Sequence, residues 1–192
     1  MRIFIAVEVP APVRDGIVEL QEKLASVGIR NIRWVDAPGI HLTLRFCGEL
    51  SRDTVDRLAS DLSSGPDLPG FRVRIGGLGV FPPRGRPRVL WVGVRSEGPL
   101  TALAAWVETK ASGAGIPAEP RPFHPHLTLG RFRATPGNGI DSLLNRFPSP
   151  ELGEVLVDRI VLFESRLEPQ GARHIALRAI PLAPCHLAGR ES

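Results

Sequence analysis

The tetrapeptide His41-Leu42-Thr43-Leu44 returns unchanged as His126-Leu127-Thr128-Leu129, 85 residues downstream. From residue usage alone, a second copy arises by chance on the order of once in several hundred such chains. Both copies are strand-like, and strand side chains alternate between faces, so His and Thr share one face while the two Leu share the other. One such tetrapeptide is ordinary strand sequence. Two copies, in a chain with five histidines, call for a fold that presents both. The simplest is a pair of similar lobes related by an approximate twofold axis. The leucines would then enter a core, and two imidazoles and two hydroxyls would face a shared cleft.

The rest of the chain has room for this. Its 192 residues suit one domain or two small lobes on a common core, and 43% apolar with 23% charged residues is a soluble globular composition. No apolar run approaches the roughly 20 residues needed to span a bilayer. The opening MRIFIAVEVP is too short for a signal-peptide core and carries Glu8. A cytoplasmic protein without membrane association is expected. Cys47 and Cys185 are too few for a disulfide framework or a zinc cluster.

The net charge of +4 is modest, but all basic residues except Lys23 and Lys110 are arginine, the side chain best shaped to grip phosphate. Residues 71–95 hold Arg72, Arg74, Arg84, Arg86, Arg88 and Arg95 without an acid, and residues 120–138 hold Arg121, Arg131 and Arg133, again without one. These are either two solvated faces or the footprint of an anionic ligand, with nucleic acid a natural candidate.

Strand signals fall on residues 2–9, 32–35, 41–46, 71–80, 89–94, 126–132, 155–163 and 174–180. Helical spacing falls on 11–27 (ending near Gly28), 51–62, 100–111 and, for a short helix, 140–147. Several strands are neighbours without an intervening helix. The expected fold is therefore α+β, with antiparallel sheets in two pseudo-symmetric lobes around a central cleft and helices outside. Residues 1–181 are expected to form this bilobal domain and 182–192 a tail. The run Gly76-Gly77-Leu78-Gly79 lacks the Lys-Ser/Thr and the helix of a phosphate loop.

Paired histidines suit one kind of chemistry well. One can act as base and the other as acid within a turnover. The threonines can donate hydrogen bonds to phosphate oxygens, and an arginine such as Arg131 can neutralise charge. On an ideal strand Arg131 points away from His126, so a bulge or strand end is needed to bring it round. A cyclic phosphodiester fits, because one P–O bond forms as another breaks. A zinc site using His41, His126 and His124 is the rival reading, but no carboxylate or cysteine stands at ligand spacing beside either copy.

At these residues the sequence resembles the two-histidine phosphoesterase superfamily, and within it the RNA 2′,3′-cyclic phosphodiesterases, also called 2′–5′ RNA ligases. The likeness spans nearly the whole chain. It includes Arg2-Ile3-Phe4-Ile5-Ala6-Val7, Ile32-Arg33-Trp34-Val35 before the first tetrapeptide, and Arg86-Pro87-Arg88-Val89-Leu90-Trp91. It continues through Arg121-Pro122-Phe123-His124-Pro125-His126 to Arg131, and Leu162-Phe163-Glu164-Ser165-Arg166-Leu167.

The resemblance implies hydrolysis of RNA 2′,3′-cyclic phosphate ends, on tRNA fragments among others, to 2′-phosphomonoesters, with weak reverse 2′–5′ ligation. It implies no metal cofactor; no other cofactor and a monomer are expected. His41 would be the proton donor and His126 the proton acceptor, and Thr43, Thr128 and Arg131 would hold the phosphate. Two positions depart from the family pattern: Cys47 stands where Leu is expected and His174 where Tyr is frequent. For Trp34, Phe46 and Phe123, core packing is expected over base stacking. Two alternatives remain: a phosphodiesterase for small cyclic nucleotides or another cyclic phosphate, and a non-catalytic RNA-binding module built on the Phe81–Arg88 loop.

Overall fold

The computed structural model describes residues 1–134, 140, 144, 147, 150–168 and 171–184. The short helix expected over 140–147 lies essentially outside them. The elements, in chain order, are β1 (Arg2–Glu8), α1 (Ala11–Ser26), β2 (Ile32–Trp34), β3 (His41–Glu49), α2 (Arg52–Leu62), β4 (Phe71–Phe81), β5 (Val89–Arg95), α3 (Pro99–Gly113), β6 (His126–Phe132), β7 (Glu151–Val157), β8 (Arg159–Glu168) and β9 (Gly171–Pro181). A single 3-10 turn, Ala37–Gly39, leads into β3.

Among the described residues the strands pair antiparallel, in two sheets ordered β3-β1-β8-β9 and β2-β6-β5-β4-β7. The four strands of the first match β6-β5-β4-β7 of the second position by position. Only β2, laid along the outer edge of β6, has no counterpart. The two sheets meet where β3 and β6 lie against each other.

The tetrapeptide leucines enter one shared core. Leu42, Leu44, Leu127 and Leu129 are 0–7% exposed and belong to the same cluster as Val13, Ile17, Leu20 and Leu24 of α1, and Leu100, Leu103 and Val107 of α3. Each such burial stabilises the fold by about 1.5–3 kcal/mol. Helix α1 places Gln21 on its buried stripe, where the side-chain Nε2 donates to the carbonyls of Val35 (2.8 Å) and Leu129 (2.9 Å). The helix stops where the sequence predicts, with Gly28 at φ 105° and Ile29 N–H closing back onto the Leu24 carbonyl.

Two expectations need correction. Residues 155–163 are not one strand. The chain breaks at Asp158, so that β7 joins the five-stranded sheet and β8 the four-stranded one. Only the adjacent charged pair Asp158-Arg159 interrupts the apolar run there, with no Gly or Pro, and a single residue makes the crossing, so the local signal is weak. Phe46 is not core-packed but 51% exposed, whereas Trp34 and Phe123 are partly buried against the core as expected. Beyond β9, Leu182 N–H bonds the Asp158 carbonyl and Ala183 pairs with the segment at Leu68–Pro69. Among the described residues, no helix is long and apolar enough to cross a membrane.

Candidate active site

His41 and His126 are each the first residue of their strand. They project, with Thr43 and Thr128, from the sheet faces opposite the helix-packed core, and the four side chains are partly exposed. The two faces join along the β3–β6 seam into one surface, the cleft. Both imidazoles are tied in the same manner. His126 Nδ1 lies 2.7 Å from the His124 carbonyl, and the His41 ring hydrogen-bonds the backbone of Gly39, also two residues back. A carbonyl accepts only from N–H, so the bond at His126 leaves Nε2 as the nitrogen available to the cleft.

Bulges decide what else shares this face. In the four-stranded sheet Ala6 pairs with Thr43 and Phe4 with Phe46; in the five-stranded sheet Trp91 pairs with Thr128 and Val89 with Arg131. Each tetrapeptide strand therefore carries one extra residue just past its Thr, which flips the alternation. Arg131 is turned onto the face of His126 and Thr128, as the sequence reading required, and Phe46 stands at the matching place beside His41 and Thr43. The carbonyl of Leu129, freed from the ladder by its bulge, accepts from Val35 N–H (2.9 Å) and Gln21 Nε2. At the other bulge Arg45 turns inward. It is buried against Glu108 (2.6 Å) and Glu119 (3.3 Å) and donates to the carbonyls of Phe46 and Pro117.

The cleft floor is aromatic on both sides. Phe4 stacks on His41 (ring centroids 4.7 Å, 25°) and on Phe163 (5.1 Å), and His174 meets His41 edge-on at 5.1 Å. Across the seam Phe81 meets His126 edge-on at 5.0 Å, with Trp91 and His124 each 5.0–5.1 Å from their ring neighbours. The glycine run now has a reason: a Cβ on Gly79 would fall inside the Trp91 indole. Phe4, Phe81, Trp91 and Phe163 were not identified from the sequence. The available signal was β1, where apolar residues alternate with other apolar residues, the mark of a strand covered on both faces.

This apolar setting disfavours charge on the imidazoles. Burial, then the neighbouring His174, lowers His41 to about 4, against the raising effect of its Gly39 bond. Burial also lowers His126, where the His124 bond opposes it and Arg131 adds to it, and burial followed by Arg2 lowers His174. Burial raises the Cys47 thiol to about 11, so it stays protonated and packs as a small apolar group. Two polar atoms facing these clusters, Trp91 Nε1 and His174 Nδ1, are buried without a partner among the described residues.

A duplicated His-x-Thr strand at the meeting line of two antiparallel sheets defines this molecule. The family model of the 2′-5′ RNA ligase superfamily matches residues 13–168, and the chain belongs to that family. It is similar to a protein of Archaeoglobus fulgidus named RNA 2′,3′-cyclic phosphodiesterase, with 33% identity over 178 residues, covering 93% of this chain and 98% of the relative. A Thermus thermophilus protein of the same name is 34% identical, covering 100% and 94%. Among solved structures, one of a Thermus thermophilus protein matches with TM-score 0.80 and 31% identity, covering 97% and 100%. Escherichia coli LigT complexed with 3′-AMP matches with TM-score 0.79 and 27% identity, covering 95% and 98%.

Proposed function

We propose that this protein hydrolyses RNA 2′,3′-cyclic phosphate ends to 2′-phosphomonoesters by paired-histidine acid–base catalysis, without a metal. The observation that carries this is the matched presentation of His41 and His126, each anchored to the backbone two residues before it, beside Thr43 and Thr128. The names of the relatives and the 3′-AMP bound by LigT support an RNA-derived substrate.

In this reading His126, neutral at pH 7, takes a proton from water as the water oxygen bonds to phosphorus. The P–O3′ bond breaks, and His41 delivers its proton to the departing 3′-oxygen. Thr43, Thr128 and Arg131 hold the non-bridging oxygens, where negative charge builds. The lowered pKa of His41 means that it acquires its proton alongside the bound phosphate, whose negative charge favours the imidazolium. A 5′-hydroxyl in place of water gives a 2′–5′ linkage by the same bond changes, and in water hydrolysis dominates.

The test is incubation with a short RNA ending in 2′,3′-cyclic phosphate in EDTA, resolving 2′- from 3′-phosphate. A 2′-phosphate product formed by the wild type, and lost with His41→Ala and with His126→Ala, is the expected result. A 3′-phosphate product, or full activity in either variant, overturns the mechanism. Turnover of small cyclic nucleotides in preference to RNA moves the reading to that substrate class.

A further inference from the structure

The two acid-free stretches of the sequence converge in space. Arg86 and Arg88, from the first, and Arg131 and Arg133, from the second, line one groove of about 540 Å³ beyond the end of the β4–β5 pair. All four arginines are exposed. None of them makes an ion pair within the described residues, unlike Arg72, Arg74, Arg159 and Arg166, each of which has a carboxylate partner. Four exposed guanidiniums gathered on one groove whose lining holds no acid make a region of positive potential that attracts anions.

The backbone holds the walls in place. Arg88 N–H donates to the Phe81 carbonyl (2.6 Å), Phe132 N–H to the Arg88 carbonyl (2.9 Å) and Arg133 N–H to the Asn31 carbonyl (2.6 Å). Arg131 belongs to both regions. It shares the face of His126, whose imidazole its charge already influences, and it forms the near edge of the groove. The groove is thus continuous with the candidate active site at one residue.

We infer that this groove is a subsite for the phosphodiesters immediately 5′ of the terminal cyclic phosphate, with Arg86, Arg88 and Arg133 as its cations. The inference rests on the reading in Proposed function and specifies its substrate: an oligonucleotide end, recognised through its backbone, in preference to a cyclic mononucleotide. Guanidinium forks suit successive phosphate groups, and backbone contacts carry no base preference. Arg84, in the same loop, does not line the groove and serves as an internal control.

The experiment measures kcat/KM for a cyclic mononucleotide and for di-, tri- and tetranucleotides ending in 2′,3′-cyclic phosphate, at 50 and 200 mM salt. For the wild type, kcat/KM rises about tenfold or more from the mononucleotide to the trinucleotide, each added phosphate gaining charge-assisted hydrogen bonds. The Arg86→Ala/Arg88→Ala/Arg133→Ala variant abolishes that rise and leaves mononucleotide turnover within about threefold, because base-free phosphate contacts are all it removes. For the tetranucleotide, with three upstream phosphodiesters, the three lost contacts flatten the salt slope by about 2, which removes a roughly 20-fold fall of activity between the two salts. Arg84→Ala and the corresponding triple Lys variant retain the length dependence. Equal kcat/KM for all lengths in the wild type, or a triple Ala variant that keeps the rise, overturns the subsite while leaving the hydrolase reading intact. No turnover of any cyclic phosphate by the wild type overturns the hydrolase reading itself, and the subsite with it.

Discussion

The two halves of the cleft are built on one plan and finished differently. On the four-stranded side His41 is enclosed by Phe4, Phe163 and His174, and the residue turned in by the bulge is Phe46. On the five-stranded side His126 meets Phe81 edge-on, with Trp91 and His124 at 6.2–6.3 Å, and the bulge turns in Arg131. Phe163 and Phe81 hold equivalent sheet positions, paired with Phe4 and Val89 respectively. The outer edges differ as well. Helix α3 packs against β3 and supplies Glu108 to the buried Arg45, whereas β2 pairs directly with β6 over Gly130, the residue matching Arg45. The shared plan supplies two equivalent imidazoles. The differences put a cation, Arg131, beside one of them and an aromatic ring, Phe46, at the matching place by the other, so a symmetric frame holds an asymmetric site.

The sharpest break of the symmetry is catalytic. His41→Ala and His126→Ala should each lower kcat by about 10²–10⁴-fold, the usual contribution of general acid–base catalysis, with affinity for a 2′-phosphate product little changed. A large loss in only one of them would mean that a single histidine carries the reaction.

Next in size is stability. Arg45→Ala takes from Glu108 its 2.6 Å partner and from the Phe46 and Pro117 carbonyls their donor, while Glu119 keeps Arg121, and should cost about 2–3 kcal/mol in urea unfolding. At the matching position Gly130→Ala places a Cβ 2.7 Å from Ile32 Cδ1 and 3.0 Å from the Arg33 carbonyl, and overpacking of that kind costs about 1–3 kcal/mol. The reverse ranking would show that the β2 edge, not the buried arginine, holds its lobe together.

The unlike pair Arg131 and Phe46 comes third. Arg131→Ala should raise KM for a cyclic-phosphate RNA by about 10- to 100-fold, on the scale of a charge-assisted hydrogen bond. Phe46→Ala should change it by less than about fivefold, as expected for an exposed ring. Comparable losses would place substrate charge on both sides of the seam.

A last comparison separates the two histidines by pH. In the free enzyme His41 titrates near 4 and His126 below the ordinary histidine value. On the roles proposed above, the base is then ready at neutral pH, and the acid loses its proton as pH rises. Across pH 6–8, kcat/KM should fall about tenfold per unit. His174→Phe keeps the burial but removes the neighbouring titratable ring, so the falling limb should move to higher pH. Superimposable profiles would mean that burial alone sets the acid.

Much of the frame is legible in the sequence because its signals are local. Period-two alternation places β3 and β6 with the His/Thr and Leu faces assigned correctly, and helical spacing with Gly28 bounds α1. Arg131 beside His126 is readable only as a requirement, since a bulge is a property of two paired strands and one strand does not encode it. Arg45 looks like a solvent-facing residue by alternation, and its burial depends on Glu108 and Glu119, more than 60 residues away. The break at Asp158 and the nearness of His174 to His41 arise from strand pairing over long separations, which leaves no periodic trace.

The position of β1 has a consequence for how the molecule comes into being. Its neighbours are β3 on one side and β8 on the other, so it is synthesised long before one of the two strands it pairs with. During synthesis His41 is exposed to solvent long before Phe163 and His174 arrive to wall it in. Pairings of this span slow folding, and the order of emergence acts as a timer: a partly translated chain carries both tetrapeptides yet has no finished chamber around the first histidine.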